Sequence, residues 1–75
     1  MPMAFVMINT APDKREAVLK RVKEIEFVKE AYLLDREYDA VAVIKTETDA
    51  DFPRTLLRIR TTEDVSSVLF LQTIE

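Results

Sequence analysis

The run Asp35-Arg36-Glu37-Tyr38-Asp39 sets one guanidinium and a phenol among three carboxylates. Carboxylates accept charge-assisted hydrogen bonds, and a planar guanidinium grips a carboxylate in a two-pronged fork. The same residues also suit a plain hairpin turn, because Asp favours turns and Arg is at home in solvent. Nearby Tyr32 reads as packing first and recognition second. The chain has no histidine and no cysteine. Acid–base or nucleophilic work would fall to carboxylates, lysines or tyrosines, and none of these forms a recognisable dyad. The usual zinc sets with Cys or His are excluded, and disulfides are impossible. Asp49 and Asp51 read as helix-capping residues rather than a calcium site, which needs more oxygen ligands. There is no glycine, which removes phosphate loops and dinucleotide fingerprints. No cofactor and no metal is expected.

The elements that must hold this run follow from periodicity. Residues 4–9 are an apolar stretch of β-formers and read as a first strand. Residues 10–13 read as a helix start, with Thr10 as cap, Pro12 in the first turn, and Asp13 and Glu16 at the positive helix end. Val18, Val22 and Ile25 recur as the stripe of an amphipathic helix, which Ala17 and Leu19 widen. Lys14, Arg15, Lys20, Arg21 and Lys23 take the wet side. Interleaved with Glu16 and Glu24, they read as a solvated face with i,i+4 pairs rather than a nucleic-acid patch. Residues 28–34 form a second strand, Asp35, Arg36 and Glu37 a charged turn, and residues 38–46 a third strand. Val41 and Val43 lie on one side of that strand and Ala40, Ala42 and Ile44 on the other. Two strands joined so briefly form a hairpin. After a polar loop at 48–51, Phe52, Leu56 and Ile59 mark a second helix with Pro53 in its first turn. It ends at 61–64, and residues 65–74 form a fourth strand. Met1, Met3 and Met7 read as core filling at the start of the first strand.

The two halves resemble each other. Ile8-Asn9-Thr10 matches Ile44-Lys45-Thr46, and residues 26–33 match residues 63–70. Two β-α-β units in series give an α+β, ferredoxin-like β-α-β-β-α-β fold. It has an antiparallel four-stranded sheet with two helices on one face, in a single domain over residues 1–75.

At 75 residues the domain buries only about 60% of the surface its unfolded chain exposes. Without disulfides or metal, association is the remaining source of extra stability. The strands agree, since a half-wet strand alternates apolar and polar residues and these do not. Phe5 and Met7 oppose Ala4, Val6 and Ile8; Leu69 and Leu71 oppose Val68 and Phe70. The second sheet face is too apolar to leave in water. A sheet-to-sheet dimer is therefore expected. The net charge of −3 is the wrong sign for direct nucleic-acid binding. No apolar run is long enough to span a bilayer, and residues 1–8 lack the basic start of a signal peptide. With no cysteine, a cytoplasmic location is expected.

Val28-Lys29-Glu30-Ala31-Tyr32, then Glu37-Tyr38-Asp39, then an apolar strand, a helix and Val65 form a pattern along nearly the whole chain. It resembles the ligand-binding (RAM) domain of the Lrp/AsnC, or feast/famine, transcription regulators. Members usually carry a helix-turn-helix ahead of this domain. Here the chain begins at the first strand, so the resemblance is to the stand-alone form. It implies a regulatory domain, not an enzyme, that binds a free amino acid and assembles as dimers and octamer-like rings. It also implies co-assembly with a full-length regulator. The implied ligand-binding residues are Tyr32, Leu34, Arg36, Glu37, Tyr38 and Asp39, with Asp39 holding the ligand's amino group. The family turn reads Thr/Ser-Gly-acid-aromatic-Asp, so Arg36 stands where glycine is usual. Phe27 and Asp64 replace glycines before the second and fourth strands, and Phe70 replaces a common Thr. Two alternatives stay open: a ligand-blind assembly partner of such a regulator, and a small dimeric ferredoxin-like enzyme.

Overall fold

The computed structural model describes residues 3–72. The order is β1 (Met3–Thr10), α1 (Arg15–Lys23), β2 (Val28–Leu33), β3 (Ala40–Lys45), a single 3₁₀ turn (Asp49–Asp51), α2 (Phe52–Arg60) and β4 (Val65–Gln72). The strands form one antiparallel sheet ordered β2-β3-β1-β4. This is the expected α+β ferredoxin-like arrangement.

Alternation along the strands gives the sheet two different faces. The inner face presents Ala4, Val6 and Ile8 from β1, Ala40, Ala42 and Ile44 from β3, and Ala31 from β2, all buried. Val18 and Val22 of α1 and Phe52 and Ile59 of α2 close over it. Each fully buried Val or Ile contributes about 1.5–3 kcal/mol. Phe52 meets Phe70 edge to face, with ring centres 5.7 Å apart. The buried hydroxyls of Thr46 and Thr55 donate to the carbonyls of Thr48 and Asp51, at 2.6 and 3.0 Å.

The outer face carries two rows of side chains, apolar except at Glu30. Tyr32, Val41, Met7 and Leu69 lie side by side in one, and Glu30, Val43, Phe5 and Leu71 in the other. No element of the described residues covers them. Met7 thus lies on the outer face with Phe5, as the strand's alternation implies, and does not fill the core as its methionine spacing suggests. Met3 is half-buried at the start of β1, and Met1 lies outside the described residues, as do Thr73 and Ile74 of the expected fourth strand.

Three expectations about α1 are corrected. The helix starts at Arg15 with Lys14 as its cap residue, not at Thr10. Thr10 is still in β1, paired with Val65. Ala17 is exposed, so it does not widen the buried stripe. The i,i+4 ion pairs do not form; among the described residues Arg21 instead approaches Glu63 and Asp64, at 3.8 and 4.0 Å. The third strand begins at Ala40 rather than Tyr38, because Tyr38 stays in the loop.

The internal likeness of the halves extends to their defects. Each half has a bulge just after its second strand begins, with Lys29 unpaired in β2 and Ser66 in β4. Each is preceded by a residue at positive φ, Phe27 at 76° and Asp64 at 73°. Val28 N–H donates to Ile25 C=O at 3.1 Å, and Val65 N–H to Thr62 C=O at 3.2 Å. These are tight turns whose third residue must be left-handed, the position glycine ordinarily takes. Each carbonyl then accepts from the neighbouring strand end: Lys45 N–H to Phe27 at 3.1 Å and Ala11 N–H to Asp64 at 2.9 Å. A third residue, Asp13, has φ 65°.

Left-handed backbone strains a side-chain-bearing residue by about 1 kcal/mol or more. Asp64→Gly is therefore expected to stabilise the protein by about 0.5–1 kcal/mol, raising Tm by a few degrees in a thermal melt. Phe27→Gly relieves the same strain but deletes a ring packed on the core, so it is expected to lower Tm. A drop in Tm for Asp64→Gly would show that its backbone is unstrained.

Candidate functional site: the β2–β3 turn

The β2–β3 connection is held at its neck by main-chain bonds. Leu34 N–H donates to Asp39 C=O and Asp39 N–H to Ile8 C=O, both at 2.9 Å. Arg15, the first residue of α1, donates through Nη1 to Leu34 C=O at 2.8 Å. The Asp39 carboxylate turns toward the end of β1. Its Oδ2 accepts from Thr10 N–H at 2.8 Å and lies 3.2 Å from the Thr10 hydroxyl. Its Oδ1 has no hydrogen bond among the described residues. Asp39 thus fastens the hairpin to the β1–α1 loop.

This neck divides the site into two hollows. The front hollow, about 660 Å³, is lined by Met7, Leu34, Asp35, Arg36, Glu37 and Tyr38. The rear hollow, about 350 Å³, is lined by Thr10, Ala11, Pro12, Asp13, Arg15 and Asp39. Of the residues implied from the sequence, Leu34, Arg36, Glu37 and Tyr38 come together in the front hollow. Asp39 lines the rear one. Tyr32 lines neither; it lies on the outer sheet face beside Val41, about half exposed. Its hydroxyl donates to Glu30 Oε1 at 2.8 Å. That hydrogen bond, with the Glu30 charge, holds the phenol protonated above its ordinary range.

Three contributors were not legible. By residue type and local spacing Met7 reads as packing on a strand, Thr10 as a helix cap and Arg15 as part of a wet helix face. Only the fold brings them to the hairpin: β1 pairs with β3, and α1 crosses back beside β2. Chemically, the front hollow offers one guanidinium between two carboxylates, above an apolar floor that continues into the outer sheet face at Met7. Among the described residues no group of three or more His, Cys, Asp or Glu could hold a metal ion, and no helix is long and apolar enough to cross a membrane.

Removing the Asp39 carboxylate leaves the half-buried Thr10 N–H without its acceptor. Asp39→Ala is expected to cost about 1–3 kcal/mol of stability, while the exposed Arg36→Ala stays within about 0.5 kcal/mol, by denaturant melts. Equal stability of the two variants would remove the fastening role of Asp39.

Comparison with known proteins places this geometry. The Lrp/AsnC ligand binding domain model matches residues 3–74. No curated protein sequence matches the chain. The chain is similar to the crystal structure of hypothetical protein PHS023 from Pyrococcus horikoshii, at 28% identity and TM-score 0.90, covering 100% of this chain and 92% of that one. It is also similar to FFRP-DM1, at 28% identity and TM-score 0.91, covering 99% and 100%. E. coli AsnC shares the fold at 17% identity and TM-score 0.88, with 99% of this chain matched to 51% of that one. With a family match spanning the sheet, both helices and the turn, the chain belongs to the Lrp/AsnC ligand binding domain family.

Proposed function

We propose that this chain is an amino-acid effector-binding and assembly domain that modulates transcription regulators of its own family. The observation that carries this reading is the front hollow. Arg36 is suited to a ligand's carboxylate, and the flanking Asp35 and Glu37 carboxylates to its ammonium. Leu34, Tyr38 and Met7 give an apolar wall for a side chain. The free Oδ1 of Asp39 offers a second acceptor for an ammonium that reaches the neck. Tyr32 would take part only across an interface, because it stands on the outer sheet face.

That face supports the assembly half of the proposal. Four strands at about 4.8 Å and six residues at about 3.3 Å make a face of roughly 19 by 20 Å. A face of that size, apolar except at Glu30, is comparable to the largest apolar patches that monomers carry, and such patches often mark interaction sites. A second copy packed sheet to sheet would cover it and would also border the front hollow at Met7. Rings of such dimers, co-assembly with a full-length regulator, and a cytoplasmic setting without direct nucleic-acid contact complete the proposal.

One observation favours a second reading, a ligand-blind assembly partner. The Asp39 carboxylate already serves Thr10, and Arg36 occupies the turn. Thermal unfolding against single amino acids at millimolar concentration separates the two. Ligand at about 100 times its Kd stabilises by roughly 2.7 kcal/mol, a shift of more than about 5 °C for a chain this small. The effector reading expects that shift for one chemical class of amino acid, and its loss in Arg36→Ala. A flat response across the panel supports the ligand-blind partner instead.

A further inference from the structure

On the other edge of the sheet, α2 and β4 do not close on each other. Leu56, Val65, Val68 and Phe70 pack against the core yet stay only half-buried. Two hollows open along this seam, of about 400 and 240 Å³, and they adjoin through shared walls of Leu56 and Phe70. The seam follows α2, whose nine residues span roughly 13 Å. Its far end is closed by Gln72, whose Nε2 donates to Asp49 Oδ1 at 3.3 Å.

The near end is polar and cationic. Arg60, Ser66 and Ser67 line it. Arg60 makes no ion pair or hydrogen bond among the described residues. The acids closest to it in sequence, Glu63 and Asp64, are turned toward Arg21 of α1. Arg54, Arg58 and Arg60 are the charged residues of α2, which holds no acid, so the field at this end favours anions. Ser66 is the unpaired residue of the β4 bulge, and bulges commonly re-aim side chains toward sites. The equivalent corner of the first half is built differently: Lys29 is its bulge residue, and Phe27 packs onto the core where Asp64 does not.

We propose that the α2–β4 seam is a binding site for an amphipathic monocarboxylate. The apolar body would lie along Leu56, Val68 and Phe70, with the carboxylate on the Arg60 guanidinium and the Ser66 hydroxyl, since the Ser67 hydroxyl accepts from Asn9 Nδ2 at 3.4 Å on the outer face. One guanidinium beside a neutral hydroxyl matches a singly charged planar head, which a bidentate Arg contact recognises by shape as well as charge. The site is separate from the β2–β3 turn, which lies across the sheet beyond β1 and β3.

The test is an amide and methyl NMR titration of the native chain with octanoate, followed by 1-octanol and by the Arg60→Gln variant. Saturable shifts are expected at Leu56, Arg60, Ser66, Val68 and Phe70. Octanol and Arg60→Gln should each weaken binding about ten-fold, the scale of a lost charged hydrogen bond. Arg60 is exposed, so a folded spectrum of the variant is expected and serves as its control. Three results would each overturn the proposal: shifts confined to Phe5, Met7 and Val41 on the outer face, equal affinity of octanol or of Arg60→Gln, or no saturation. The last includes the case in which β4 of a second copy already fills the seam.

Discussion

A sheet that is apolar on both faces is the constraint on which the rest of this structure depends. The inner face is satisfied within the chain by α1 and α2. The outer rows, with Val41 and Met7 in one and Val43 and Phe5 in the other, are not. Polar chemistry is thereby displaced to the strand ends and the sheet edges. Hence the charged residues of the β2–β3 turn, the Asp39–Thr10 fastening and the Arg60 corner all lie at the periphery of the sheet. It also follows that the front hollow, walled on one side by Met7, is continuous with the surface that most needs a partner. The proposed binding at the turn and the proposed association through the sheet would be physically adjacent, so each would be placed to influence the other.

The second organising feature is a duplicated turn made without glycine. Both halves need a left-handed residue and a bulge to swing the chain from helix into strand, and Phe27 and Asp64 accept that conformation. The side chains then diverge in use. Phe27 adds its ring to the core, whereas Asp64 turns to Arg21 and leaves its corner open beside Arg60 and Ser66. The same backbone solution thus yields a filled corner in one half and a hollow in the other.

Much of this was legible in the sequence. The strands and the hairpin follow from apolar runs of β-formers bounded by polar turns, and the second helix from the Phe52, Leu56 and Ile59 stripe, because local pattern decides them. The repeat of residues 26–33 in 63–70 aligns Lys29 with Ser66, but that both are bulge residues is visible only in the strand pairing. What was not legible depends on long-range pairing. Thr10 looks like a helix cap because Pro12 and Asp13 follow it. It is instead held in β1 by β4 and by a carboxylate 29 residues away. Asp39 was singled out as a ligand residue, yet half of its acceptor capacity serves the fold, a division no local pattern encodes. Alternation sets Met7 opposite Ala4, Val6 and Ile8, but its place beside the β2–β3 turn follows only from the long-range fold.

The central claim is that a second copy covers the outer sheet face. Sedimentation equilibrium of the native chain at micromolar concentration, beside the Val41→Glu variant, tests it most directly. The account predicts a dimer or an even multiple for the native chain, and a shift toward monomer when a charge is placed in the middle of the apolar row. A native chain that sediments as a monomer would contradict it, as would an assembly indifferent to Val41→Glu.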